Sequence, residues 1–219
     1  LKDLDSHIEN SHIYVQQKQE RIDQLRQKLE GATCSETYDI NYGLFEEYQS
    51  FRYDSAYFYA NRSLELAGQM NDQDKMVRSR CAVVFCYMSS GLFLEAFDEM
   101  KKVDARNASL QVKKEYYSLY NRLYYDASDF NDTENWSAEY TRLGTLYADS
   151  LMSIVPKESY DYIFAVAQSE IKHWHYSQCI DFYKQLLDEH TVSDHNKAII
   201  NSSIGGAYKV LGQTDSSMI

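Results

Sequence analysis

Proline and glycine are scarce, with one proline (Pro156) and eight glycines in 219 residues. So few chain breakers argue against a turn-rich β sandwich and in favour of helices. Basic charge is also in deficit. With 22 Lys and Arg against 33 Asp and Glu the net charge is −11, and no basic stripe interrupts it. That balance opposes binding to a nucleic-acid backbone. Long apolar runs are missing too. The longest is about "CAVVFCYM", far short of the roughly 20 residues a membrane helix needs, so membrane attachment is expected only through segments outside this one. The four cysteines (Cys34, Cys81, Cys86, Cys179) show no CxxC spacing. They are too sparse for a disulfide framework and leave the redox compartment open.

What is present is an ordinary globular balance, 44% hydrophobic and 25% charged, with 20 tyrosines, many at helical spacing. Leu1, Leu4, Ile8, Val15, Ile22, Leu25 and Leu29 fall three or four apart, with Ser11 and Lys18 interrupting the seam. Residues 1–32 therefore form a long amphipathic helix ending at Gly31, either packed on its own domain or paired in a coiled coil. The chain opens at Leu1 rather than methionine. A cleaved signal peptide and an arbitrary boundary both fit that opening.

From residue 33 onward the chain repeats itself. Each unit has an apolar helix, a short polar or glycine turn, and a second helix opening on a small residue: "FRYDSAYFYANRSLELA", "GLFLEAFDEMKKV", "WHYSQCIDFYKQLL" and "GQTDSSMI". The small residues are Ala56, Ala96, Cys179 and Ser217, with Ala138 in "NWSAEYTRL" as a weaker member. They are spaced by 40, 42, 41 and 38 residues. A lone helix pair cannot bury its apolar face, so this period means stacked hairpins. The string "YDASDFNDTEN" is read as a lengthened turn. The last unit stops at Ile219, barely inside its second helix, which reads as a domain cut at its C-terminal end.

In "NSSIGGAYKVLGQTDSS", Ile204, Gly205, Tyr208 and Gly212 hold the register of a tetratricopeptide repeat, as do Tyr87, Gly91, Ala96 and Met100 in "VVFCYMSSGLFLEAFDEM". The chain resembles that repeat class: all-α, a right-handed superhelix of stacked helical hairpins over residues 33–219. The longer strings "LFEEYQSFRYDSAYFYANRSLELA", "YYSLYNRLYYDASDF" and "EYTRLGTLYADSLMSIVP" resemble a bacterial family of regulators. In that family an exported tetratricopeptide-like sensor region precedes a membrane helix, a coiled coil and a cytoplasmic part. The resemblance implies a periplasmic or extracytoplasmic location, tethered to the membrane in the full-length protein. It implies no catalytic residues.

"HWHYSQC", His173 to Cys179, holds three possible zinc ligands. His175 and Cys179 lie four apart on one helix face but supply only part of a four-ligand set, and His190 and His195 are the nearest further histidines. The repeat register accounts for the segment without a metal: Trp174 takes the turn position of glycine, and Cys179 stands in for alanine, which free cysteine does well. No GxSxG elbow and no phosphate-cradling loop is present, and neither catalysis nor a cofactor is expected. The sequons at Asn61, Asn107, Asn131, Asn135 and Asn201 carry no weight in so Asn- and Ser-rich a chain.

Surface recognition remains. The concave side of such a stack is lined by the first helix of each unit. Its outward positions are Asn41, Phe45 and Tyr48, then Phe85 and Met88, then Asn121 and Tyr124, then Gln168 and Lys172, and finally Ser202 and Lys209. As a set they suit an extended peptide, amides pairing with its backbone and rings with its side chains. Singly, many of these aromatics are expected in the core between repeats. The reading is a peptide- or protein-binding repeat domain in a regulator, with a soluble adaptor as the alternative.

Overall fold

In a computed structural model the described residues are 10–131 and 133–213. Among them the chain is helical, without strands: α1 (Ser11–Gln27), α2 (Cys34–Tyr48), α3 (Tyr53–Met70), α4 (Gln73–Ser89), α5 (Phe93–Met100), α6 (Leu110–Phe130), α7 (Glu134–Met152), α8 (Tyr160–Lys172), α9 (Tyr176–Glu189) and α10 (Asp194–Val210). The described residues divide into two compact units, one ending at Leu119 and the other beginning at Tyr120. Their boundary falls within α6.

Helix starts follow one rule. The first helix of each hairpin opens on a short oxygen-bearing side chain that caps a free backbone N–H. Thr33 caps Glu36 in a capping box, with Glu36 reaching back to the Thr33 N–H at 2.9 Å. Asp72 accepts from Lys75 N at 3.0 Å, and Ser109 from Val112 N at 3.5 Å. Ser159 and Ser193 accept from Tyr162 N and Asn196 N, each at 3.3 Å. The second helices α3, α5, α7 and α9 have no side-chain cap. Of these, α5 and α9 leave directly from the tight turn that ends the helix before.

Four helix ends close in the same way. A residue in the left-handed region ends each: after α3 the cap itself, Asn71, and after α4, α8 and α10 the residue following the cap, Gly91, Trp174 and Gly212. The next residue donates to the carbonyl five positions back: Asp72 to Ala67, Leu92 to Tyr87, His175 to Glu170 and Gln213 to Tyr208, at 2.9–3.2 Å. This Schellman closure satisfies carbonyls that the helix end would otherwise leave bare.

In the first unit α1 lies on its own domain, as one of the two readings expects. Ile22 is fully buried, with Leu25 and Leu29 beside it, against Leu44, Phe45 and Tyr48 of α2. Arg21 pairs with Glu47 at 2.7 Å, and Arg26 donates to the Tyr48 hydroxyl at 2.9 Å. Gly31 sits at φ +78° beyond the helix. The seam positions Leu1, Leu4 and Ile8 lie outside the described residues. Parallel first helices are tied by charge: Lys75 of α4 reaches Asp39 of α2 at 3.2 Å, and Arg78 reaches Glu115 of α6 at 2.9 Å.

The small packing residues Ala56, Ala96 and Cys179 are buried as the spacing predicts. Ser217 lies outside the described residues. Ala138 does not fit: it is exposed near the start of α7. The close approach in that hairpin is at Gly144, where an added Cβ would sit 2.5 Å from the Tyr125 ring. The expected long turn is also absent, because α6 runs on to Phe130. Its polar residues are used across the hairpin instead. The buried Ser128 hydroxyl meets the Ser137 carbonyl, the Ser137 hydroxyl and the Thr141 hydroxyl at 3.0, 3.0 and 2.7 Å. Asn121 donates to the Gly144 carbonyl at 3.0 Å, and Tyr125 OH lies 3.2 Å from Thr145 Oγ1.

Candidate functional site

The outward-facing expectation fails for five of the eleven positions named from the sequence. Asn41, Phe45, Tyr48, Met88 and Asn121 are buried. Asn41 donates to the Thr37 carbonyl of its own helix at 2.6 Å. Phe45 meets the partly buried Phe85 edge-on at 6.2 Å, and Tyr48 stacks on Tyr59 at 5.6 Å. Tyr124 is half-buried between Tyr140 and Tyr147, 6.1 and 5.6 Å away. Gln168 is partly exposed, and Ser202 and Lys209 are exposed. The reason for the failure is that other helices cover these side chains: Phe45 meets the next first helix, while Tyr48, Asn121 and Tyr124 pack against the second helix of their own hairpin.

The second unit carries a groove of about 630 Å³ in a different place. Six of its lining residues come from α7: Ser137, Ala138, Thr141, Arg142, Thr145 and Leu146. The others, Lys172, His173 and Trp174, come from the end of α8 and its turn. The volume is in the range of sites that hold a small molecule or a few residues of peptide. The exposed lining is mainly apolar. Its three hydroxyls already have partners: those of Ser137 and Thr141 lie against Ser128, and that of Thr145 donates to the Thr141 carbonyl at 3.0 Å.

Lys172 is the one residue of the predicted set that lines this groove. Its side chain is only 12% exposed. It donates to the Tyr125 carbonyl at 3.1 Å, forms an ion pair with Asp129, and lies 5.2 Å from the Tyr125 ring centre. It is thus a tie between α8 and α6. Arg142 is held by Glu139 of its own helix at 2.7 and 2.8 Å and remains exposed. Trp174 is 77% exposed and sits at φ +65°. A left-handed conformation costs a side-chain-bearing residue roughly 1–2 kcal/mol. The sequence signal for it was present, a tryptophan where Gly91 and Gly212 stand in other units, but its exposure was not.

The rest of "HWHYSQC" is accounted for by the turn. His173 donates through Nδ1 to the Ser169 carbonyl at 2.8 Å, and His175 Nδ1 meets the Glu170 carboxylate at 2.6 Å. Cys179 is fully buried, and burial pushes its thiol up to about 12, which opposes the thiolate a metal requires. His190 packs edge-on against Tyr160 at 6.3 Å, and His195 is exposed. Among the described residues no three His, Cys, Asp or Glu gather as a metal-binding group.

Comparison with known families adds a decisive observation. The family model described as the SusR N-terminal TPR domain matches residues 8–219. The chain belongs to that family. Membership makes it a tetratricopeptide helical-repeat domain, a class of protein-interaction module, in agreement with the hairpins and their closures. Among curated proteins no relative matches the chain.

Proposed function

We propose that this domain is the extracytoplasmic sensor part of a membrane-tethered regulator, acting by binding a peptide or protein partner and doing no chemistry itself. Membership of a tetratricopeptide family supports the binding role. The observation that carries it on this chain is Trp174, held at once in a left-handed conformation and in solvent beside an apolar groove. Neither property helps the fold, and tryptophan is among the residue types that dominate interfaces. The placement outside the cytoplasm rests on the resemblance to exported sensor regions.

Two measurements test the parts separately. A displayed random-peptide library selected on the 219-residue chain is expected to yield enriched binders, and a library that yields none would sink the binding role. Protease added to intact spheroplasts carrying the full-length protein is expected to remove this domain while sparing a cytoplasmic marker. Protection of the domain would place it in the cytoplasm and leave the adaptor reading standing.

A further inference from the structure

We infer that the N-terminal half of α1 pairs, antiparallel, with the same segment of a second copy of this chain. The inference is independent of the peptide-binding role proposed above. Its first ground is a seam that outruns its cover. Leu1, Ile8, Val15, Ile22 and Leu29 occupy one position of a heptad, and Leu4, Ser11, Lys18 and Leu25 the other, with no slip in the register. The C-terminal part of that seam is the α1–α2 interface already described, with Ile22 fully buried and Leu25 and Leu29 beside it. The turn after α2 meets α1 at Lys18, which donates to Ser50 Oγ at 2.8 Å and lies 4.7 Å from the Phe51 ring centre. Beyond it every side chain from Ser11 to Gln17 is exposed, and the seam residue Val15 is 69% exposed. Two turns of helix that bury nothing are marginal in water. Because this face continues an existing helix–helix interface, a second helix laid on the same seam covers it.

The second ground decides which helix. Two copies of net charge −11 repel one another over most of their surface. Residues 1–18 hold Lys2 and Lys18 against Asp3, Asp5 and Glu9, a net −1, so like copies meet there at little electrostatic cost. The seam also fits itself in one direction. A parallel partner would bring its own Ile22 and Leu25 onto the face where α2 already lies, and would set Ser11 against Ser11 and Lys18 against Lys18. An antiparallel partner carries its body to the opposite end. In the register where Val15 meets the partner's Leu4, Ser11 meets the partner's Ile8 and Lys18 the partner's Leu1. Each polar seam residue then faces an aliphatic one. The Lys18 ammonium is already drawn aside to Ser50, which leaves its apolar stem for the seam. At the flank His12 faces the partner's Asp5, a carboxylate that accepts from an imidazole N–H.

The test uses the 219-residue chain. Sedimentation equilibrium from about 1 μM to about 1 mM is expected to show a reversible monomer–dimer equilibrium. Val15→Asp is expected to weaken the dimer about 100-fold, because symmetric pairing buries two carboxylates. The thermal midpoint of the dilute monomer is expected to stay unchanged in that variant, since Val15 is exposed there. Ser11→Leu is expected to tighten the dimer about tenfold. Direction is read by disulfide trapping in a Cys34→Ser background, which removes the exposed thiol. Leu4→Cys chains mixed with Val15→Cys chains are expected to cross-link to each other. Val15→Cys chains alone are not, since antiparallel pairing sets the two copies of that position about 16 Å apart along the helix.

A chain that stays monomeric throughout that range, a dimer indifferent to Val15→Asp, or Val15→Cys chains that cross-link to themselves would each overturn the inference. Neutral and anionic lipid vesicles form the last arm: a monomer that binds them through Val15 would assign the face to a membrane surface instead. None of these outcomes bears on the peptide-library selection, so this inference and the binding role fail separately.

Discussion

The turn between α4 and α5 and the turn between α8 and α9 share one backbone and differ in sequence. Ser90 and His173 end their helices at φ −98°, ψ 4° and φ −97°, ψ 10°. Gly91 and Trp174 follow at φ +74° and +65°. Leu92 and His175 then open the next helix at φ −85°, ψ 63° and φ −88°, ψ 58°. The closing bonds are alike as well, Leu92 to Tyr87 at 3.0 Å and His175 to Glu170 at 2.9 Å. The hairpin therefore dictates the conformation, and the side chain at its tip is not needed to make it. Glycine meets the conformational demand without strain. Tryptophan meets it with strain, and it leaves a large apolar surface in water.

The comparison breaks first where the paired helices close on each other. The small residue is Ala96 in one hairpin and Cys179 in the other, while the α6–α7 hairpin closes on Gly144 against Tyr125. Gly144→Ala is expected to lose about 1–3 kcal/mol in urea unfolding, as overpacked cores do. Gly206→Ala, in α10 with open space around it, is expected to gain roughly 0.5–1 kcal/mol. Equal effects at the two sites would remove the packing explanation.

Exchanging the tips is the next test. Gly91→Trp is expected to lose about 1–2 kcal/mol, and Trp174→Gly to gain up to about 1 kcal/mol after the extra freedom glycine gives the unfolded chain. Thermal unfolding of both variants reads this directly. A neutral Gly91→Trp would show that the turn tolerates any residue and that Trp174 carries no strain.

The buried thiols add a dependence on pH. Burial pushes the Cys179 thiol from its ordinary value near 9 up to about 12, and those of Cys81 and Cys86 to about 12 as well. Between these values the unfolded chain releases the proton while the folded chain keeps it, so stability falls as pH rises from about 9 to 12. The contribution is fully present below pH 9. Cys179→Ala is expected to flatten the decline measured by urea titration across that window, and an unchanged slope would mean the thiol is not held neutral.

Much of the architecture was legible from spacing. Ala56, Ala96 and Cys179 are where the period places them, and Gly91 and Gly212 mark turns. Extrapolating the period to Ala138 failed because α6 and α7 meet through hydroxyls and one glycine, a pattern that does not register as a small apolar residue at fixed spacing. The predicted lining failed for a related reason. A tyrosine or phenylalanine at an outward helical position looks the same in sequence whether a neighbouring helix covers it or water does. The groove gives no signal on the first helices, because six of its residues belong to a second helix.

The alternation of capped and uncapped helix starts has a kinetic consequence. Each first helix begins on its own side-chain cap and several end on their own Schellman closure, so its limits are set by residues within a few positions of them. Nucleation of such a segment requires no distant loop to close first. The second helices lack that independence and wait for the turn before them. Hydrogen exchange during refolding is therefore expected to protect α4 and α8 ahead of α5 and α9, so that the order of folding alternates along the chain and is not swept from one end to the other.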